Sequence, residues 1–172
     1  MEGRTEYAAA EASRSADRSG RVGAFQAGKM KIDLEALRAF FRMSPFMVDL
    51  GIEPVAVADG LVRTEMTLQP RLNQHTGQVH AGVMATLADH SMGSAAQTLA
   101  PAGFWAITAE LKTSQLRPGK GDRLVCEAVV IKAGRTLSFT EAQVFAESGA
   151  QRALVMKASA TMAVVATERT AR

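Results

Sequence analysis

The segment from Asn73 to Ala96 constrains the fold most strongly, because it joins a polar turn to an apolar helix. From residue 82 to residue 99, apolar side chains recur at the i, i+3, i+4 spacing of a helix buried on one side. This stripe consists of Met84, Leu87, Ala88, Met92, Ala95 and Leu99. A second face consists of Gly82, Ala85, Thr86, Asp89 and Gly93. Because these side chains are small, the face leaves room for a partner backbone or a ligand, and we expect Asp89 to be only partly solvated.

Six extended segments flank this helix, two before it and four after it. They are residues 51–58, 61–68, 104–116, 123–132, 136–147 and 151–165. Asp59-Gly60 is a strong two-residue hairpin signal between the first two segments, and Pro70 ends the second. The third has the clearest alternation, with Trp105, Ile107, Ala109 and Leu111 against Ala106, Thr108, Glu110 and Lys112.

A short helix precedes the strands. Asp33 is a plausible N-cap, and Ser44-Pro45 ends the pattern. The expected buried side chains are Leu34, Leu37, Phe40 and Phe41. The element order α-β-β-α-β-β-β-β predicts an α+β fold in which an antiparallel sheet wraps around the central helix. Exposed sheet edges and the small-residue helix face predict a dimer.

The composition indicates one globular domain. The chain has 172 residues, of which 47% are hydrophobic. We predict an N-terminal arm over residues 1–32, a folded domain over 33–166 and a C-terminal tail over 167–172. Residues 1–29 lack apolar periodicity and read as flexible. Their Arg, Ser and Ala content faintly suggests a transit peptide, but their four acidic residues argue against one.

The charge pattern argues against several classes of protein. The formal net charge of +3 lies in the two terminal segments, so the predicted domain is neutral and a nucleic-acid partner is weakly supported. No apolar run is long enough to span a membrane, and the N-terminus has no secretory h-region. Cys126 reads as a core residue, which suits a cytoplasmic protein. Three histidines without metal-ligand spacing predict no metal site.

At this point the motifs resemble a known family, the hotdog-fold acyl-CoA thioesterases of the PaaI (phenylacetate-degradation) type. The family pattern is a polar residue and Gly before His-Gly-Gly, followed by Leu-x-Asp. Here Gln74, Gly77, His80-Ala81-Gly82 and Leu87-Ala88-Asp89 match it. The resemblance continues through Leu116-Arg117-Pro118, Gly121-Asp122 and Gly134-Arg135-Thr136-Leu137, so it covers residues 45–165. Ala81 departs from the pattern, but it still supplies the backbone N–H that the family uses.

The resemblance implies a set of catalytic residues. Asp89 would act as the base for water or as the nucleophile, and the Ala81 and Gly82 N–H groups would bind the thioester oxygen. Gln74 would donate to the same oxygen, although a shift of one residue would give that role to Asn73. Thr108 would place the attacking water, and His80 would order the turn through its ring. For each, a purely structural role remains open, and His75 and His90 read as loop and helix-surface residues.

The resemblance also implies that coenzyme A enters as part of the substrate, with no separate cofactor. Its expected contacts, partly on a neighbouring subunit, are Arg117, Pro118, Lys120, Lys132, Gly134, Arg135 and Thr136. We therefore expect an acyl-CoA thioesterase, in a homodimer or a dimer of dimers. A hotdog dehydratase is less well supported, because His80 and Asp89 do not form its His–acid arrangement. A non-catalytic acyl-CoA-binding protein stays open, and the sequence does not identify the acyl group.

Overall fold

A computed structural model describes residues 31–167, which contain three α-helices and six strands. The helices are α1 (Leu34–Arg42), α2 (Pro45–Leu50) and α3 (Ala81–Gln97). The strands are β1 (Ile52–Ala58), β2 (Leu61–Thr67), β3 (Phe104–Gln115), β4 (Arg123–Ala133), β5 (Leu137–Ser148) and β6 (Gln151–Ala166). The predicted arm and tail, apart from residues 31, 32 and 167, lie outside the described residues. Among the helices described, none has the length and apolar character needed to cross a membrane.

The six strands form one antiparallel sheet in the order β1-β2-β4-β5-β6-β3. Helix α3 packs against β4, β5 and β3, and more lightly against β2 and β6. The sheet therefore wraps around α3, and the prediction of an α+β hotdog fold is confirmed. Strands β1 and β3 lie at the two edges of the sheet.

The apolar stripe of α3 supplies the centre of the core. Met84, Leu87, Ala88, Met92 and Ala95 expose between 0% and 4% of their surface, as the periodicity predicted. Burying a Leu or Met side chain contributes about 1.5–3 kcal/mol, so this stripe holds the helix in the sheet. On the opposite face, Gly82 is exposed, and the other four residues of the small-sided face are half-buried.

The ends of α3 are anchored by side chains. At the C-terminal end, Thr98 Oγ1 accepts from the Gly60 N–H at 2.7 Å, which ties the helix to the β1–β2 turn. Gly60 has a φ of 72°, a conformation that favours glycine in a hairpin turn.

Cys126 lies on β4 in the core, where burial raises the pKa of its thiol to about 12.

Helix α1 follows the prediction, but α2 was missed. Asp33 caps α1 by accepting from the Ala36 N–H at 2.8 Å, and Leu37 and Phe41 are buried. Pro45 ends the first helix as expected and then begins a second one, because proline is favourable in the first turn of a helix.

The predicted alternation of β3 is wrong beyond Thr108. A bulge at Ala109 shifts the register against β6, so that Thr108 is opposite Met162 and Leu111 is opposite Ala160. Opposed residues in an antiparallel pair lie on the same face of the sheet, so Thr108 and Leu111 both face α3. The even-numbered residues of β3 therefore face the helix before the bulge, and the odd-numbered residues face it afterwards.

Candidate active site

The polar segment before α3 forms a closed loop that is pinned at both ends. The Gln74 N–H donates to the Gln78 carbonyl at 2.7 Å, and the Gly77 N–H donates to the Gln74 carbonyl at 2.9 Å. At the exit of the loop, the His80 N–H donates to the Leu72 carbonyl at 2.9 Å. Gly77 has a φ of 75°, which explains the need for glycine in this turn. The loop thus fixes the point at which α3 begins.

His80 is the N-cap of α3, and a ring nitrogen takes the place of the side-chain oxygen that usually accepts the hydrogen bond at this position. Its Nδ1 atom accepts from the Gly82 N–H at 2.9 Å, and its carbonyl accepts from the Val83 N–H at 3.0 Å. The ring therefore holds the first turn of α3. It also uses the Gly82 N–H that was expected to bind substrate. Within the part of the chain described, the Ala81 N–H has no partner, so Ala81 is the available donor of the two.

A cavity of about 330 Å³ lies at this end of the helix. Ala81 and Gln74 line it together with Arg117, Pro118 and Gly119. Asn73 instead lines an adjacent cavity with Lys120. Of the two amides proposed for the thioester oxygen, Gln74 is therefore the one beside the Ala81 N–H. Its Nε2 donates one hydrogen to Thr76 Oγ1 at 2.9 Å, which leaves the second available.

Asp89 lies halfway along α3 on the small-sided face and is half-buried. Its Oδ1 atom accepts from Thr108 Oγ1 at 2.8 Å. The structure thus brings together two of the predicted site residues that are 19 positions apart. The bulge in β3 follows Thr108 immediately, in keeping with the frequent use of bulges to aim side chains beside functional sites.

A second cavity, of about 130 Å³, adjoins Asp89. Its wall contains aromatic, small and polar side chains from α1, α3 and β3. They are Phe40, Asp89, His90, Gly93, Ser94, Gln97, Trp105, Ala106 and Thr108. Phe40 stacks on Trp105 with ring centroids 5.6 Å apart. The surroundings of the acid therefore combine aromatic and polar side chains, and they are separate from the cavity at the helix N-terminus.

His90 was predicted to lie on the helix surface, and this prediction is wrong. Its ring makes an edge contact with Phe41 at a centroid distance of 4.4 Å and stacks beside Phe40 at 6.4 Å. Burial lowers the pKa of His90, and the nearby charge of Asp89 opposes this effect only in part. Sequence periodicity missed the contact because α1 covers a part of α3 that the sheet leaves open. His75, in contrast, is exposed in the loop as predicted.

Gln97 was not predicted from the sequence to have any role at the site. Its buried side chain donates to the Phe104 carbonyl and accepts from the Ala106 N–H, both at 2.9 Å. These two bonds hold the start of β3 against the end of α3. They thereby fix the strand that carries Thr108 relative to the helix that carries Asp89.

The predicted coenzyme A contacts fall into two groups at opposite ends of β4. Arg117, Pro118 and Lys120 precede the strand, whereas Lys132 and the Gly134-Arg135-Thr136 turn end it. An 11-residue strand places these groups roughly 30 Å apart. The first group lies near Ala81. The second adjoins the end of β6, where the Val164 N–H donates to the Thr136 carbonyl at 2.8 Å.

Known proteins are similar to this chain in sequence and in architecture. A sequence profile of the thioesterase superfamily matches residues 76–153. A Halobacterium salinarum protein described as a candidate esterase is 34% identical over 100 residues, which span 55% of this chain and 66% of that protein. The crystal structure of a thioesterase family protein from Silicibacter pomeroyi has a TM-score of 0.73 and 30% identity, over 76% of this chain and 96% of that chain.

The PaaI protein of the E. coli phenylacetic acid degradation operon is also similar in structure. Its TM-score is 0.68 at 20% identity, over 76% of this chain and 91% of that chain. This similarity shows a common fold. The sequence match and the Silicibacter pomeroyi structure show that the chain belongs to the thioesterase superfamily and has the hotdog fold of that superfamily.

Proposed function

We propose that this protein is an acyl-CoA thioesterase of the PaaI type, which hydrolyses an acyl- or aryl-acetyl-CoA to the free acid and coenzyme A. The observation that carries the proposal is the Asp89–Thr108 pair on the small-sided face of α3, with a 2.8 Å bond between the two side chains. Thr108 occupies one carboxylate oxygen, and the other remains available to take a proton from water or to attack the thioester directly. In the first route water adds to the thioester carbon, the C–S bond breaks, and the proton that Asp89 has taken passes to the departing coenzyme A thiolate. In the second route the acyl group is transferred to Asp89 as a mixed anhydride while the C–S bond breaks and the thiolate leaves, and water then hydrolyses the anhydride to the free acid.

The charge that develops on the thioester oxygen needs donors that are already in place. The N-terminus of α3 supplies them through the Ala81 N–H and the favourable end of the helix dipole. Gln74 supplies a second hydrogen from the same cavity. The first turn of α3 contains no acidic residue that would compete with the substrate oxygen for these donors.

A single chain keeps the donors and the acid apart. Asp89 is eight residues beyond Ala81, which corresponds to roughly 12 Å along the helix axis. We therefore propose that Asp89 of one protomer acts with the partner's Ala81 and the partner's Gln74 in a homodimer. The half-buried, small-sided face of α3 and the edge strand β3, with Ile107 41% exposed, suit such a contact.

The two groups of coenzyme A contacts support the same assembly. Arg117, Pro118 and Lys120 of one protomer would be completed by the partner's turn at residues 132–136. On the outer side of the sheet, Ile131 and Phe139 expose 58% and 45% of their surfaces. This apolar patch favours a further pairing of dimers into a tetramer.

The proposal is tested by measuring thiol release from a panel of aromatic, short-chain and medium-chain acyl-CoA esters, with the wild type and the Asp89→Asn variant. We expect the variant to lose about 10²- to 10⁴-fold in kcat, the range typical of a lost general base. Its Tm should be unchanged, because asparagine has the same shape and can still accept from Thr108. Asp49→Asn, at an exposed position of α2, is the matched control and should retain full activity.

Undiminished hydrolysis by Asp89→Asn would remove that residue from the mechanism. If the wild type hydrolysed no ester on the panel, the enzyme proposal would fail. Calorimetric binding of the same esters would then support the alternative, a non-catalytic acyl-CoA-binding hotdog protein.

A further inference from the structure

Two buried polar atoms beside Asp89 have no partner among residues 31–167. They are Nε2 of His90 and Oγ of Ser94. Ser94 as a whole is only 3% exposed. Buried polar atoms in folded proteins are almost always hydrogen-bonded, so two such atoms close together call for a physical explanation.

The two residues are placed to act on one ligand. They are four positions apart on α3 and therefore lie on the same face of the helix, one turn apart. Both line the cavity of about 130 Å³ that also contains Asp89 and Thr108. At about 30 Å³ for each water molecule, this volume corresponds to roughly four waters, enough for the end of a short acyl chain.

We propose that His90 and Ser94 form a subsite for a hydroxyl group on the acyl chain of the thioester substrate, beside Asp89. This inference rests on the proposed thioesterase function. A hydroxyl group donates one hydrogen bond and accepts others, so it is complementary to an imidazole nitrogen and a serine hydroxyl. Phe40 and Trp105 would pack against the carbon atoms of the chain.

The electrostatics of the cavity favour a neutral polar group over a charged one. An acyl carboxylate would be repelled by Asp89, which lines the same cavity. A cation would be penalised by the desolvation that already lowers the pKa of His90. A hydroxyl group avoids both costs and still satisfies the two unpartnered atoms.

The position of Ser94 indicates where along the acyl chain the substrate hydroxyl group would lie. Ser94 is five residues beyond Asp89, or roughly 7.5 Å along α3. The acyl chain would therefore run from Asp89 towards the C-terminal end of the helix. Because the two atoms expose almost no surface, access to them requires movement of a lining side chain, and Phe40 is the one that α1 supplies.

The test uses pairs of esters that differ by one hydroxyl group: 3-hydroxybutanoyl-CoA with butanoyl-CoA, and 6-hydroxyhexanoyl-CoA with hexanoyl-CoA. The readout is the ratio of kcat/KM within each pair. We expect the wild type to favour the hydroxylated member of at least one pair by about five- to ten-fold, the size of one net hydrogen bond. Ser94→Ala should abolish most of that preference, and His90→Phe should do the same.

Ser91→Ala is the matched control. Ser91 is a buried serine on the same helix, but its hydroxyl already bonds to Thr64 Oγ1 at 2.6 Å and to the Leu87 carbonyl at 2.6 Å. Its loss should lower Tm and leave the ratio unchanged. Ser94→Ala removes an unpartnered hydroxyl, so it should fold at least as well as the wild type.

The possible failures are distinguishable. Hydrolysis of both members of each pair at equal rates would overturn the hydroxyl subsite and leave the thioesterase proposal intact. An equal loss on both members in Ser94→Ala would also overturn it, because the residue would then act on Asp89 or on water instead of on the acyl group. No hydrolysis of any ester by the wild type would overturn both proposals.

Discussion

The N-terminus and the middle of α3 make an instructive comparison. The N-terminal end offers a backbone N–H, the Gln74 amide and an arginine around a cavity of about 330 Å³. The middle offers a carboxylate, a hydroxyl and two aromatic rings around about 130 Å³. One region can stabilise negative charge and the other can deliver an attack. Under the proposed function, α3 holds these two groups of residues apart, and a second protomer would bring them together.

The two regions also differ in how they are built. The N-terminal half of the site relies on the Ala81 N–H and on the Gln74 side chain, and the loop at residues 73–80 fixes both through backbone hydrogen bonds. The half around Asp89 relies on side chains that are brought together from α1, α3 and β3. Substitutions can therefore act on the Asp89 half through any of several side chains, whereas in the N-terminal half they act through Gln74 or by removing the Ala81 N–H.

The substitution Ala81→Pro makes such a change and should have the largest effect on the N-terminal half. Proline lacks the N–H but is well tolerated at the first position of a helix, and His80 already has the extended conformation that precedes proline. We expect kcat to fall about 10²- to 10³-fold, as for other lost oxyanion donors, with little change in Tm.

Ala81→Ser keeps the N–H and is the control for Ala81→Pro. It should retain most of the activity in the same thiol-release assay. Equal activity of the proline and serine variants would show that the Ala81 N–H does not contact the reacting oxygen.

Mixed dimers test the separation of the two halves directly. Asp89→Asn and Ala81→Pro protomers, each nearly inactive alone, would be mixed under conditions of subunit exchange. If the site is shared, half of the dimers are mixed and each of those has one intact site, so activity should return to about a quarter of the wild-type value. A site contained within one chain would give no recovery, although size-exclusion chromatography would still show exchange.

Arg135 tests whether the far end of β4 belongs to the same site. Its removal in Arg135→Ala should raise KM for acyl-CoA roughly three- to ten-fold with little change in kcat, because one charge-assisted contact to a phosphate is lost. Arg42→Ala, an exposed arginine in the last turn of α1, is the control. An unchanged KM in Arg135→Ala would exclude this turn from the coenzyme A site.

The sequence predicted the fold better than it predicted the site. The stripe from Met84 to Ala95 and the Asp59-Gly60 hairpin follow from local periodicity and turn chemistry, and the structure reproduces both. The bulge at Ala109 could not be predicted, because a single inserted residue leaves no signal in composition. Its consequence, the change in the side chains of β3 that face the helix, depends on pairing with β6.

The predictions about the site show the same contrast between features that follow from local sequence and features that depend on contacts between elements. The proposed roles of Asp89 and Ala81 come from a motif along the chain. The hydrogen bonds of Gln97 to β3 and the burial of His90 depend on contacts between elements. His90 is the clearest case, because the helical pattern places it outside the apolar stripe and only the packing of α1 covers it.

His90 also provides the smallest expected effect, a pH dependence of stability on the Asp89 side of the helix. Its ordinary pKa is 6.5, and burial lowers the pKa in the folded protein, with Asp89 as the opposing charge. At a pH between these two pKa values the unfolded chain binds more protons at His90 than the folded protein does. The free energy of unfolding is therefore unaffected by His90 above about pH 6.5, and it decreases as the pH falls towards the lowered pKa. His90→Phe, which keeps the aromatic contacts with Phe40 and Phe41, should therefore lose less Tm than the wild type between pH 7.5 and pH 5.5. The difference should be no more than a few degrees by circular dichroism.

His75→Gln, in the exposed loop, is the control and should show the same pH dependence of Tm as the wild type. If all three proteins had identical pH profiles, His90 would be as solvated in the folded protein as in the unfolded chain.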